Sequence, residues 1–172
     1  LGGDDALLYQ EEDDAFFVGL GLSQSEQLMF ITSGDHVTSE VRFVPRANLL
    51  AEQELIQGRR EGHEYDVEHQ GDSAKTGRLI IRSNRNHPNF DLFETPMATT
   101  EEASWQMLLP GDANHYLMGH VAFADALVVC LRINGLDQIQ IVSGDDSHII
   151  EFPEPAYSLS LIHISEPTRP TR

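Results

Sequence analysis

EYDVEHQGDSAKTGRLIIRSNRNHPNFDLFETPMATTEEASWQMLL, residues 64–109, decides the fold. Four short runs in it, EYDVEH, RLIIRS, FDLFET and WQMLL, place apolar or aromatic side chains at about every second residue, the period of a β-strand. The breaks between them, such as QGDSAKTG and SNRNHPN, are rich in Gly, Asp, Asn and Pro, which tolerate turn backbones and bond to them locally.

The same alternation extends in both directions. Upstream it marks Ala6 to Gln10, Ala15 to Leu20, Gln27 to Ser33, Ser39 to Val44 and Glu54 to Gly58. Downstream it marks Met118 to Ala124, Leu127 to Arg132, Gln138 to Ser143 and His148 to Phe152. One stretch, Ala47 to Gln57, competes as a helix, but its apolar face is thin, so a loop followed by a short strand is expected there.

Aligning the runs exposes a repeat of about 50 residues, weak in identity. Second strands start near Gln27, Arg78 and Leu127, and third strands near Ser39, Phe90 and Gln138. Each unit reads as four antiparallel strands, the signature of β-propeller blades. A sandwich of about seven strands would share the turn spacing but not the four-strand period. The fold class is therefore all-β, a partial propeller of three blades over approximately 15–58, 64–110 and 116–153. Rings carry four to eight blades, so an arc with a blade face to pack at each end is expected, and the absence of an initiator Met fits a fragment.

Residues 159–172, LSLIHISEPTRPTR, break the pattern and resemble translated sequencing adapter at the ragged end of a gene fragment. They are expected to be a non-native tail, which leaves 1–158 as the propeller piece; a disordered basic terminus is the alternative. The 172-residue chain carries a net charge of −17, and removing the tail leaves 9 basic against 27 acidic residues, or −18. That balance excludes a cationic nucleic-acid binder and favours cationic partners, including basic peptides. No apolar run reaches the roughly 18 residues of a membrane span, and Cys130 alone cannot staple a secreted fold.

Catalytic motifs are absent. GLSQS from Gly21 lacks the second glycine of a nucleophile elbow and lies in a predicted turn, and no glycine cluster opens a nucleotide-binding helix. In HEYDVEH, His63, Tyr65, Val67 and His69 share one strand face, and Glu64, Asp66 and Glu68 the other. The histidines are six apart rather than the four of a helical zinc motif, so polar groups of an innermost strand in a wet central channel are the expected reading. DANHYLMGH and SGDDSH match no ordered calcium or zinc spacing. Trp105 is expected to pack between blades, and Cys130 to be a buried small hydrophobe. No cofactor and no metal is expected.

TSEVRFV, RREGHEYDVEHQGD, RLIIRSNRNHPNFDLFETP, WQMLLPG and FPEPAYS, in this uninterrupted order, resemble the propeller domain of the oligopeptidase B branch of the prolyl oligopeptidase family of serine peptidases. The resemblance implies a seven-bladed propeller capping an α/β-hydrolase domain whose Ser, His and Asp cleave short peptides after Arg or Lys. Access through the propeller would be limited by size. About three middle blades are matched, and no catalytic residue can be carried over. The implied partners are short Arg- or Lys-containing peptides and the hydrolase domain, and the implied compartment is the cytoplasm, with the periplasm as alternative. His63, Tyr65, Asp66, Glu68 and His120 are the expected channel-lining residues. Two other readings remain at this point: a stand-alone propeller that binds proteins or ligands, and a metal-dependent hydrolase centred on His63 and His69.

Overall fold

A computed structural model describes residues 5–144, 146–154 and 158–159. Among the described residues, twelve strands form three sheets, each antiparallel and each in simple chain order. Sheet 1 holds β1 (Phe17–Leu22), β2 (Leu28–Gly34), β3 (Ser39–Pro45) and β4 (Glu54–Gln57). Sheet 2 holds β5 (Tyr65–Gln70), β6 (Arg78–Ser83), β7 (Asp91–Pro96) and β8 (Gln106–Leu109), and sheet 3 holds β9 (His115–Ala122), β10 (Leu127–Ile133), β11 (Leu136–Ser143) and β12 (Asp146–Ile149). The only helical turn among the described residues is the three-residue 3₁₀ segment Glu102–Ser104, which the sequence reading did not anticipate. Three four-stranded antiparallel units are what the repeat predicts, and Ala47 to Gln57 is a loop followed by β4.

Sheet 2 is the middle layer, which explains the unbroken apolar run of β6. Leu79 and Ile81 face sheet 1, where they join Leu28, Phe30, Val41, Phe43, Ile56, Tyr65, Phe93 and Trp105. Ile80 faces the other way, into a second core with Leu92, Leu117, Leu127, Val129 and Leu131. Trp105 thus packs between two blades. Each such aliphatic or aromatic side chain contributes about 1.5–3 kcal/mol on full burial, so these two cores hold the sheets face to face.

Several boundaries differ from the sequence reading for local reasons. Ala6 to Gln10 forms no strand. It leads into a strap across the outer face of sheet 1: Gln53 Nε2 donates to Leu8 O, and Arg59 lies 4.0 Å from the centre of the Phe16 ring. Glu11 accepts from Ser33 Oγ at 2.5 Å and pairs with Arg59. Ile31 and Val44 on that face are fully covered, whereas β1 stays exposed along its length, with Phe17 74% and Leu20 64% exposed, so the strap covers only part of sheet 1. Cys130 is half-buried on the far face of sheet 3.

β9 starts three residues before its expected start, because Cys130 pairs with Gly119 but Leu131 with Leu117. Met118 is the extra residue of a bulge, and a bulge destroys the alternation that marks a strand. Phe90, expected inside β7, instead has φ +64° and ends the preceding turn. β12 begins two residues early, closing a tight turn at Gly144 (φ +57°). The Asn134-Gly135 turn has positive φ at both central residues (51° and 86°), the type I′ form that the twist of a hairpin favours. The tail from Ser160 onward lies outside the described residues.

Candidate functional site: the inner strands and the seams between sheets

β5 touches both β3 and β9, so it contacts both neighbouring sheets, and β6 adds a second contact with β9. The side chains of β5 have the two-faced order expected of a strand, but neighbours stand on both sides of it. His63, just ahead of β5, is 2% exposed, and its Nε2 lies 2.8 Å from Ser83 Oγ. Burial first, and then the Arg60 charge, push its pKa down to about 4. Tyr65 stacks on the His63 ring at 5.2 Å. Its hydroxyl donates to Gln57 O (2.6 Å) and accepts from Val41 N (2.7 Å) and Gln57 N (3.2 Å). The phenol therefore fills the β3–β4 irregularity next to Val41, and burial holds its pKa well above the ordinary range. Neither ring reaches an open surface; both are spent on the contact between sheets 1 and 2.

On the opposite face, Asp66 lies across from Arg82 in the β5–β6 register and binds its Nε at 2.7 Å. Arg82 also donates to Leu117 O of sheet 3 (3.0 Å) and covers the Phe90 ring at 4.0 Å. His120, from β9, donates Nε2–H to Ile80 O (3.1 Å) and brings Nδ1 to 3.4 Å from Asp66. Its side chain is 2% exposed, whereas that of Asp66 is 48% exposed. Burial, more than the opposing Asp66 charge, holds the His120 pKa below its usual value. The structure therefore brings Asp66 and His120 together, with Arg82 as the third member that sequence reasoning missed. Its signal was an arginine on a buried strand directly opposite an acid, visible only once the register is known.

Glu68 points to the other seam. Its Oε1 accepts from Gln24 N (2.9 Å) and His69 N (2.7 Å), and burial raises its pKa. His69 accepts at Nδ1 from Ser25 Oγ (2.6 Å) and donates Nε2–H to Thr76 O (3.0 Å). A serine–histidine pair is present, but the imidazole is fully buried with both nitrogens occupied, so it is a clasp and not a nucleophile with its base. His63 and His69 bind different partners near opposite ends of β5 and do not converge on a common point. Among the described residues no group of three His, Cys, Asp or Glu side chains is placed to hold a metal ion. No helix among them is long and apolar enough to cross a membrane.

Comparison with known proteins agrees with this architecture. The family described as prolyl oligopeptidase, N-terminal β-propeller domain, matches residues 3–170. Protease 2 of Moraxella lacunata is 32% identical over 165 residues, covering 94% of this chain and 23% of its own length. Dipeptidyl aminopeptidase BI of Pseudoxanthomonas mexicana is 30% identical over 159 residues, 91% of this chain and 21% of its own. The chain thus spans less than a quarter of the length of these relatives. Among solved structures, oligopeptidase B from Trypanosoma brucei, closed form with covalently bound antipain, superposes with a TM-score of 0.78 at 25% identity over 88% of this chain and 22% of that one. Oligopeptidase B from Leishmania major gives 0.77 at 21% identity, over 86% of this chain and 22% of that one, a likeness of fold. Three sheets stacked through an apolar middle layer, in the chain order of propeller blades and matched over nearly the whole sequence, make this chain a member of the prolyl oligopeptidase N-terminal β-propeller family.

Proposed function

We propose that this chain is part of the propeller of a serine oligopeptidase, where it restricts access of peptides to an α/β-hydrolase domain carried elsewhere in the intact enzyme. In that enzyme a Ser nucleophile, activated by a His base that an Asp orients, transfers the acyl group of a short peptide after Arg or Lys and then passes it to water. The observation that carries the reading is the seam geometry: β5 is bonded into both neighbouring sheets, so the three blades form a stiff wall, as a size filter requires. The five positions singled out in the sequence divide the work. His63, Tyr65 and His120 fasten the wall, while Asp66 and Glu68 give the inner strand its acidic character. Arg82 offsets part of the Asp66 charge, which makes size exclusion the main effect and attraction of cationic peptides the smaller one.

The attraction is tested in the intact enzyme with the paired changes Asp66→Asn and Glu68→Gln. The expected outcome is a kcat/KM for Arg-containing peptides lowered by a factor of about two to five at low salt, with the gap closing as salt rises. An unchanged rate and unchanged salt dependence would reject steering by these residues and leave size exclusion alone.

A further inference from the structure

At the end of the sheets where the β4–β5 and β6–β7 connections lie, Arg60 and Arg85 converge on a single carboxylate. Arg60 forks onto Glu102 with Nη1–Oε2 at 3.2 Å and Nη2–Oε1 at 3.3 Å. Arg85 Nη1 lies 3.1 Å from Glu102 O and 3.4 Å from Oε1. The Arg85 guanidinium is braced over Phe93 (4.9 Å) and Trp105 (5.6 Å), so it is held in place before any ligand arrives. These groups line a concavity of about 410 Å³ together with Gly62, His63, Asn84 and Asn86, with Glu61 on its rim.

His63 supplies a second, independent observation. Its Nδ1 is buried and has no hydrogen-bond partner. Ser83 Oγ accepts the Arg85 backbone N–H at 3.2 Å and shares a hydrogen bond with His63 Nε2 at 2.8 Å in which either atom can be the donor. His63 thus carries a buried, unpartnered ring nitrogen among the residues that line a concavity already holding two guanidinium groups.

We infer that this concavity is a binding site for a carboxylate, such as the free C-terminus of a short peptide, and that Glu102 occupies it as an internal substitute. The paired fork is the geometry of arginine–carboxylate recognition, and two arginines balanced by Glu102 and Glu61 suit a singly charged ligand better than a phosphate dianion. Glu102 sits in the uncapped three-residue 3₁₀ turn, where release requires no strand to move. Exchange swaps one carboxylate for another at the same two guanidinium groups. The proposal does not depend on the peptidase reading.

The test uses the full 172-residue chain and three probes: N-acetylglycylglycine, its C-terminal amide, and acetate, each titrated while the His63 imidazole signals are followed by NMR. Glu102→Gln should bind the free acid with a Kd at least tenfold lower than the unaltered chain, give no response to the amide, and lose the response when Arg85→Gln is added. Acetate as strong as the peptide acid assigns the site to small carboxylates, and a stronger peptide acid assigns it to C-termini; both keep the carboxylate site. Equal responses to acid and amide, or no tenfold gain, overturn it. If Glu102→Gln does not fold, Glu102→Asp, which shortens the internal carboxylate, is read by the same criteria.

Discussion

Replacing Tyr65 by Phe removes one oxygen from the middle of the molecule and leaves the ring in place. The ring still stacks on His63 at 5.2 Å and still lies 6.0 Å from Trp105, so the apolar packing is preserved. What is lost is the partner of three backbone groups: Val41 N–H, Gln57 N–H and Gln57 O. Val41 is itself buried, in the irregular β3–β4 pairing where strand hydrogen bonds cannot close. A buried backbone group without a partner costs about 1–3 kcal/mol, and relaxation of the loop around Gln57 recovers part of the total. The expected loss is therefore about 2–4 kcal/mol. Urea unfolding followed by the fluorescence of Trp105, the single tryptophan and a member of the same core, measures it directly. Tyr116→Phe, at a position 38% exposed, is the control and should stay within about 0.5 kcal/mol of the unaltered chain. A Tyr65→Phe chain as stable as that control would refute the claim that this hydroxyl ties sheet 2 to sheet 1.

Acid should weaken the fold before it protonates most carboxylates. His63 is neutral when folded down to about pH 4, against an ordinary value of 6.5, so unfolding takes up a proton between those limits and stability falls as pH drops through them. At 1.36 kcal/mol per unit that is about 3 kcal/mol from His63, and His69 and His120, also lowered by burial, act in the same direction. A urea midpoint that is flat or rising from pH 7.5 to 4.5 would contradict this. Arg82→Met should cost about 2 kcal/mol by opening the bonds to Asp66 and Leu117, whereas Arg46→Met, which breaks an exposed pair with Glu26, should change the midpoint little. Gly135→Ala should cost about 1–2 kcal/mol, because φ is +86° there and an added Cβ meets no atom within 4 Å; calorimetry showing no loss would place the strain elsewhere.

The fold was legible because its strands alternate and its turns carry Gly, Asp and Asn, as at Asn134-Gly135. Several strands start elsewhere than expected, β9 and β7 for the clearest physical reasons. Met118 adds a residue to β9 and hides the true start at His115, while Phe90 looks like a strand residue but takes a left-handed backbone that depends on Arg82 and Gly111 around it; a Cβ at Gly111 would fall 2.1 Å from Phe90 O. Alternation separates His63, Tyr65 and His69 from Asp66, but not from Glu68, whose carboxylate turns to Gln24 on the sheet 1 side. It cannot say what lies against each face. Tyr65 meets the irregular edge of sheet 1 and Asp66 meets Arg82 through pairings 24 and 16 residues distant in the chain, so their partners emerge only from register and packing. Glu11 and Arg59 fasten the strap across 48 residues, for which local sequence holds no signal beyond opposite charge.

The central claim, that this wall limits access by size, is tested most directly by the intact enzyme's hydrolysis rates for a series of unstructured Arg-containing peptides of increasing length, matched around the cleaved bond. The expected kcat/KM holds for short peptides and then falls steeply, with the fall moved to longer peptides by Arg82→Met. A rate independent of length, or a fall that Arg82→Met leaves in place, would contradict it.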